Sequence, residues 1–191
     1  MSIEPSEVSD EHLMQELQKG DDLALAGLMQ RWEVPVKRFI YRLVGNSAEA
    51  EDLAQEVFVR VYTKRASYRT GARFSSWVLS IAANQAKNRL RWWKRRPTLS
   101  LNEWVDLGGD TEDAETSQAR RTEKEEAALR IEAVQAAIAE LSVPERTAIV
   151  LFEYENKSMA EMALILECTP KAVENRLYRA RRNLAKVLRP L

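Results

Sequence analysis

The chain has 191 residues, room for one domain or two small ones, and its 45% hydrophobic and 30% charged content is ordinary for a folded, water-soluble protein. One cysteine and one histidine exclude an internal disulfide and argue against a structural zinc site. No run of about 18 apolar residues offers a membrane span, and the acidic start does not fit a secretory signal, so a cytoplasmic protein is expected. The formal net charge is zero, but the charges are sorted: Glu4–Asp22 and Glu103–Glu126 are acidic, whereas Lys87–Arg96 and Arg176–Arg189 are basic. Two cationic patches lie behind the neutral sum.

In chain order, Asp10–Lys19 is expected to be a short helix closed by Gly20 at the left-handed cap position. Leu23–Trp32 is a second, with Leu25, Leu28, Met29 and Trp32 on one face. Pro35 opens a third, running through Phe39, Ile40, Leu43 and Val44 to Gly45. Asn46 or Ser47 then caps a longer helix from Ala48 to about Arg65, with Leu53, Ala54, Val57, Phe58 and Val61 as its apolar stripe. Its exposed arc carries Glu51, Asp52, Gln55 and Glu56. Acidic groups near a helix start are favourable against the dipole, which by itself accounts for such an arc. Beside so strong an apolar stripe, the arc also suits a docking face.

Tyr68–Ala72 is a loop broken by Gly71, and Phe74–Ala83 is a helix carrying Trp77. The stretch Asn84–Arg96, NQAKNRLRWWKRR, contains amides, six basic residues and two tryptophans but no acid. Aromatics interleaved with cations suit unstacked nucleic acid, which offers a face to stack on and a phosphate to neutralise at every base. Trp77 and one of Trp92 and Trp93 also suit a core. Residues 97–118 have no helical period and hold Gly108-Gly109 with Asp106, Asp110, Glu112, Asp113 and Glu115, the composition of a flexible acidic linker. Helices resume over Arg120–Glu140 and Pro144–Tyr154. The fold class expected is all-α: two small helical domains, 1–96 and 120–191, joined by a linker over 97–119.

The last stretch contains two helix starts. Ser158 with Glu161 is a capping box, and Thr169-Pro170 is an N-cap followed by proline at the first helical position. Between them lies a short apolar helix, Met159–Leu166, with a tight Glu167-Cys168 corner. In the helix that follows, Val173, Leu177, Ala180, Leu184 and Leu188 recur on the core side. Lys171, Glu174, Asn175, Tyr178, Arg179 and Arg182 fall on the other. This is a helix-turn-helix whose outward side chains can read base edges in a major groove, with spare arginines for phosphate. A solvated basic helix packed on its own domain is the plainer reading of the same pattern.

Two other function classes are weighed against a DNA binder that carries a separate docking face. A stand-alone operator-binding regulator would use the terminal helix-turn-helix but leave Asn84–Arg96 and the acidic arc without a role. An enzyme would need a nucleophile-base pair, metal-ligand spacing or a phosphate-cradling glycine loop, and the sequence has none. His12 is expected on a surface helix, and Cys168 as a small packing residue. No cofactor, metal or small-molecule substrate is expected.

Four stretches in this order, GDDLALAGLMQRW, SAEAEDLAQEVFVRVY, YRTGARFSSWVLSIAANQAKNRLR and VPERTAIVLFEYENKSMAEMALILECTPKAVENRLYRARRNL, resemble the extracytoplasmic function group of bacterial sigma factors over nearly the whole chain. The resemblance implies a factor that binds core RNA polymerase, directs it to promoters and helps open the duplex. It implies that Asp52, Leu53, Gln55, Glu56 and Phe58 meet the coiled coil of the polymerase β′ subunit, with further contact to the β subunit. Asn84, Gln85, Lys87, Asn88 and Arg89 match the loop and helix start that capture a flipped base of the minus-ten element. Lys171, Glu174, Asn175, Arg176, Tyr178, Arg179 and Arg182 match the reader of the minus-thirty-five element, with Arg176, Arg181 and Arg182 suited to phosphate. An anti-sigma factor, in many relatives membrane-anchored, is the implied inhibitor. Two departures stand out: the proline of the usual leucine-proline pair comes late, as Leu141-Ser142-Val143-Pro144, and Glu174 stands where many relatives carry a basic or small residue.

Overall fold

A computed structural model of the protein describes residues 8–95 and 118–188, all of them helix or connecting turn with no strand among them. The first group comprises α1 (Asp10–Lys19), α2 (Leu23–Val44), α3 (Ser47–Thr63), a 3-10 turn (Arg65–Ser67) and α4 (Phe74–Arg95). The second comprises α5 (Gln118–Ala139), α6 (Val143–Glu153), α7 (Met159–Ile165) and α8 (Pro170–Val187).

Local chemistry sets most of the boundaries. The Ser9 hydroxyl accepts from the His12 N–H at 3.2 Å to start α1, and Gly20, at φ 101°, ends it. The Asn46 carboxamide accepts from the Glu49 N–H at 2.8 Å at the start of α3. The first turn of α4 is capped from elsewhere: Glu11 of α1 accepts the Phe74 N–H at 3.0 Å. Gln18 Nε2 donates to the carbonyls of Arg65 and Tyr68, at 2.8 and 2.9 Å, and fixes the turn between α3 and α4.

Two boundaries differ from expectation. Leu23–Val44 is one helix with Pro35 inside it, not two. The proline removes a donor, a local cost of about 3 kcal/mol in a helix interior. Leu28 before it and Val36, Phe39 and Ile40 after it are fully buried on one continuous face, and that packing overrides the local preference. Phe74–Arg95 is likewise one helix, with no break at Ala83, because no glycine or proline interrupts it. The stretch expected as a loop and helix start is therefore the middle of a rigid rod.

The core of the first group is built from Met14, Leu17, Leu28, Phe39, Ile40, Leu53, Val57, Phe74 and Leu79. An edge-to-face set of rings closes one end, with Trp32 and Phe74 centred 5.7 Å apart and Tyr68 and Trp77 5.2 Å apart. Trp77 and Trp93 pack against this core, as does Cys168 against the core of the second group. In the second group, Ser158 and Glu161 cap each other reciprocally, at 3.0 and 3.3 Å, and the Thr169 hydroxyl accepts the Ala172 N–H at 3.2 Å. Glu167 takes φ 49° to turn the corner between α7 and α8. Val173, Leu177 and Ala180 are buried and hold α8 against α6 and α7.

The acidic linker expected over 97–119 lies outside the described residues, except for Gln118 and Ala119, which open α5. The two groups are in contact: α4 packs on α7 and α6, and α2 on α6, so that buried residues of both form one continuous core.

Candidate nucleic-acid and polymerase interface

The exposed arc of α3 follows from its amphipathic spacing. Ala50, Leu53, Ala54, Val57, Phe58 and Val61 point inward, which leaves Glu51, Asp52, Gln55 and Glu56 outward. Leu53 and Phe58 are only 2% and 3% exposed, so neither offers a partner any side-chain surface; they hold the arc in place from below. Glu51 is tied to Lys37 at 2.7 Å, and that contact holds its carboxyl below the usual range. Asp52 and Gln55 are exposed and make no hydrogen bond or ion pair among the described residues.

Along α4 the residues expected to meet the minus-ten element divide by face. Asn84, Lys87 and Asn88 are exposed. Gln85 is not: it is 5% exposed, turned inward, and donates to Glu56 of α3 at 2.6 Å. The reason is the unbroken helix, whose period places Gln85 on the same side as Ile81 and Ala82 rather than beside Asn84. Arg89 is half-buried, ion-paired with Glu49 and lies 3.7 Å from Glu56. Glu56, of the expected polymerase set, is thus bonded to Gln85 and lies beside Arg89, both of the expected DNA set. Sequence spacing within one helix carries no signal for such a pairing across helices. Leu53, Glu56, Gln85, Asn88, Arg89 and Trp92 line an open cleft of about 450 Å³ at this junction.

The second surface lies on α8. Lys171, Glu174, Asn175, Tyr178, Arg179 and Arg182 are all exposed, Tyr178 by 67%. Lys171 and Glu174 pair at 2.7 Å, one helical turn apart, so the single acid on this face is locally neutralised. Arg181 stacks over Phe152 and pairs with Glu153 at 3.1 Å, which anchors it to α6. Arg176 is half-buried and joins Asn84, Lys87 and Arg91 of α4 in lining a smaller cleft of about 160 Å³, floored by Val143, Pro144, Ile165 and Leu166.

No group of His, Cys, Asp and Glu among the described residues is arranged to hold a metal ion. His12 lies on the outer face of α1, 3.9 Å from Glu16. None of the described helices is long and apolar enough to cross a membrane.

Two family models match the chain: sigma-70 region 2 over residues 28–96 and sigma-70 region 4 over residues 131–184. RNA polymerase sigma-H factor of Pseudomonas aeruginosa is 34% identical over 190 residues, covering 95% of each chain. ECF RNA polymerase sigma factor SigW of Bacillus subtilis is 32% identical, covering 93% of this chain and 96% of its own. The chain belongs to the extracytoplasmic function group of sigma factors. It is accordingly a transcription initiation factor of RNA polymerase.

The region 2 match contains the arc of α3 and the exposed face of α4, and the region 4 match contains α6, α7 and nearly all of α8. Two solved structures share the sigma factor's fold. CnrH, solved with the cytosolic domain of CnrY, has a TM-score of 0.67 at 22% identity and covers 96% of this chain. RpoE of Bartonella quintana, solved with the anti-sigma factor NepR, has a TM-score of 0.63 at 21% identity and covers 86%.

Proposed function

We propose that this sigma factor uses three separate surfaces. Asp52, Gln55 and the outer edge of Glu56 on α3 dock on core RNA polymerase. Asn84, Lys87 and Asn88 on α4 meet the opened minus-ten element, with Arg89 supplying a cation once its carboxylate partners yield it. Lys171, Glu174, Asn175, Tyr178, Arg179 and Arg182 on α8 read the minus-thirty-five element, and Arg176 contacts phosphate. The carrying observation is that Asn84, Lys87 and Asn88 form an exposed amide-cation row on a rigid helix, with no partner among the described residues. Amides and cations of that kind match the exposed edge and backbone of an unstacked base. The factor acts by binding, in the cytoplasm, with the two helical domains divided near 97–119.

Control by an anti-sigma factor is part of the same reading, supported by the complex of the structural neighbour RpoE with the anti-sigma factor NepR. A pull-down from cells that recovers polymerase and no other specific partner would count against it.

The deciding experiment combines purified protein, core RNA polymerase and fragmented genomic DNA, and maps the transcripts. Defined start sites that share a pair of upstream elements are expected only when the protein is present. Tight, sequence-specific duplex binding without polymerase, and no transcripts with it, would instead favour a stand-alone regulator.

A further inference from the structure

The basic stretch of α4 holds two adjacent tryptophans, and the fold gives them different places. Trp93 packs against the core. Trp92 is 37% exposed and stands on the wall of the larger cleft, with Leu53 and Glu56 of α3 and Gln85, Asn88 and Arg89 of α4. Neither the arc of α3 nor the row Asn84, Lys87 and Asn88 accounts for a large ring at that position. A surface indole keeps a flat apolar face on which another ring can stack.

The chemistry of this cleft suits a base and not a phosphate. Arg89 is ion-paired with Glu49 and lies 3.7 Å from Glu56, so its charge is balanced within the protein. Glu56 accepts from Gln85 through one oxygen, and with its side chain 51% exposed it keeps acceptor capacity toward the cleft. A phosphate entering there would meet that carboxylate. A neutral heterocycle would meet an acceptor in Glu56, an amide in Asn88 and a ring face in Trp92, the kinds of group that hold an unstacked base. Guanine presents adjacent N–H donors on its Watson–Crick edge and so matches a carboxylate better than the other bases do. The helix register supplies the backbone contacts. At about 3.6 residues per turn, Asn84, Lys87 and Arg91 fall to one side of Asn88, and Trp92, Gln85 and Arg89 to the other. Lys87 and Arg91 are exposed, so a strand whose phosphates lie on them passes Asn88 with a base in reach of Trp92.

We propose that Trp92, Asn88 and Glu56 form a second subsite for single-stranded DNA, offset from the row Asn84, Lys87 and Asn88. One unpaired base of the opened promoter, guanine by preference, stacks on the Trp92 indole and donates to Glu56, while its backbone runs over Lys87 and Arg91. The subsite adds a sequence preference next to the minus-ten element. The proposal rests on the reading of α4 as a DNA-facing helix.

The test uses the full chain with core polymerase on a promoter fragment mapped by transcription and carrying a pre-opened bubble, with an abasic site placed at each bubble position in turn. Trp92→Ala removes the ring, Trp92→Leu keeps apolar bulk without a stacking face, and Trp92→Phe keeps the stack; circular dichroism checks that all three keep their helix content. One position should emerge at which loss of the base weakens wild-type and Trp92→Phe binding about fivefold or more but leaves Trp92→Ala and Trp92→Leu nearly unchanged. In the wild type, guanine there should bind tighter than the other bases. A 2-aminopurine at that position should be quenched by wild type and by Trp92→Phe, and bright with the alanine and leucine variants. No such position, a leucine variant that behaves as wild type, or a Trp92→Ala loss equal on intact and abasic strands overturns the proposal. So does a Trp92→Ala loss of affinity for core polymerase without DNA, which would give the cleft to docking. Displacement of the strand by guanosine monophosphate alone, dependent on Trp92, would make the ligand a free nucleotide and overturns it as well. Failure of the α4 reading shows separately, as an Asn84→Ala variant that binds the bubble as wild type does.

Discussion

Gln85 of α4 donates to Glu56 of α3 across 2.6 Å, in a position where the amide is almost wholly buried. The bond joins the helix proposed to dock on polymerase to the helix proposed to meet DNA, and so couples the orientation of the two surfaces. A carboxylate acceptor gives a stronger bond than a neutral one, and its removal strands a buried amide. Glu56→Ala should lower unfolding stability by about 1–3 kcal/mol, read from chemical denaturation. Gln85→Leu, which removes the need for a partner, should cost less. Equal losses in the two variants would show that the bond is not what matters there.

On the same helix, Asp52 and Gln55 give the opposite expectation. They are exposed and have no partner within the described residues, so Asp52→Ala with Gln55→Ala should leave stability within about 0.5 kcal/mol. Affinity for core polymerase, measured by fluorescence anisotropy of labelled protein, should fall at least tenfold. Unchanged affinity would remove α3 from the docking surface.

These contrasting pairs mark what was readable in the sequence. The caps at Ser158 and Thr169 and the apolar face Val173, Leu177, Ala180 are local patterns with one geometric outcome, and the structure has them. Pro35 misled because its cost is local, whereas the burial of Phe39 and Ile40 that overrides it is tertiary. Gln85 is placed by the family resemblance with Asn84 and Lys87 among the residues expected to capture a base. Its actual direction depends on α4 being unbroken and on Glu56, 29 positions earlier in the chain. Arg146 carried no signal at all, since an arginine in an amphipathic helix is ordinarily a solvated one. Only the meeting of two helix ends gives it a buried role.

On α8 the proposed base reading and phosphate gripping fall to different residues. Arg182 is exposed without a partner among the described residues and suits phosphate, so Arg182→Ala should weaken promoter binding by a similar factor on all sequences. It should also reduce the salt slope of binding by about one. Glu174 is expected at base edges, where a carboxylate accepts from cytosine N4. Glu174→Gln should therefore shift the preferred minus-thirty-five sequence in a binding-site selection while leaving the salt slope nearly unchanged. If Glu174→Gln altered only overall affinity, the residue would be a partner for Lys171 and nothing more.

Glu155 gives the region 2–region 4 junction a pH signature. Burial pushes its carboxyl above the usual carboxylate value, and the nearby Arg42 and Lys157 oppose that only in part. A carboxyl raised in the folded state binds its proton more tightly there than in the unfolded chain. Its contribution to stability is fully present below the unfolded value, near 4.5, and is lost as pH rises through the raised folded value. At neutral pH the ionised group is thus a net cost, and Glu155→Gln, which keeps the shape without the charge, should be as stable as wild type or more so. Below about pH 4.5 the wild-type carboxyl is protonated and the advantage of the glutamine variant should disappear. Thermal melts of both proteins from pH 4 to pH 8 measure this directly. A variant less stable at pH 7, with its deficit shrinking in acid, would mean that the Arg42 pairing outweighs burial at this position.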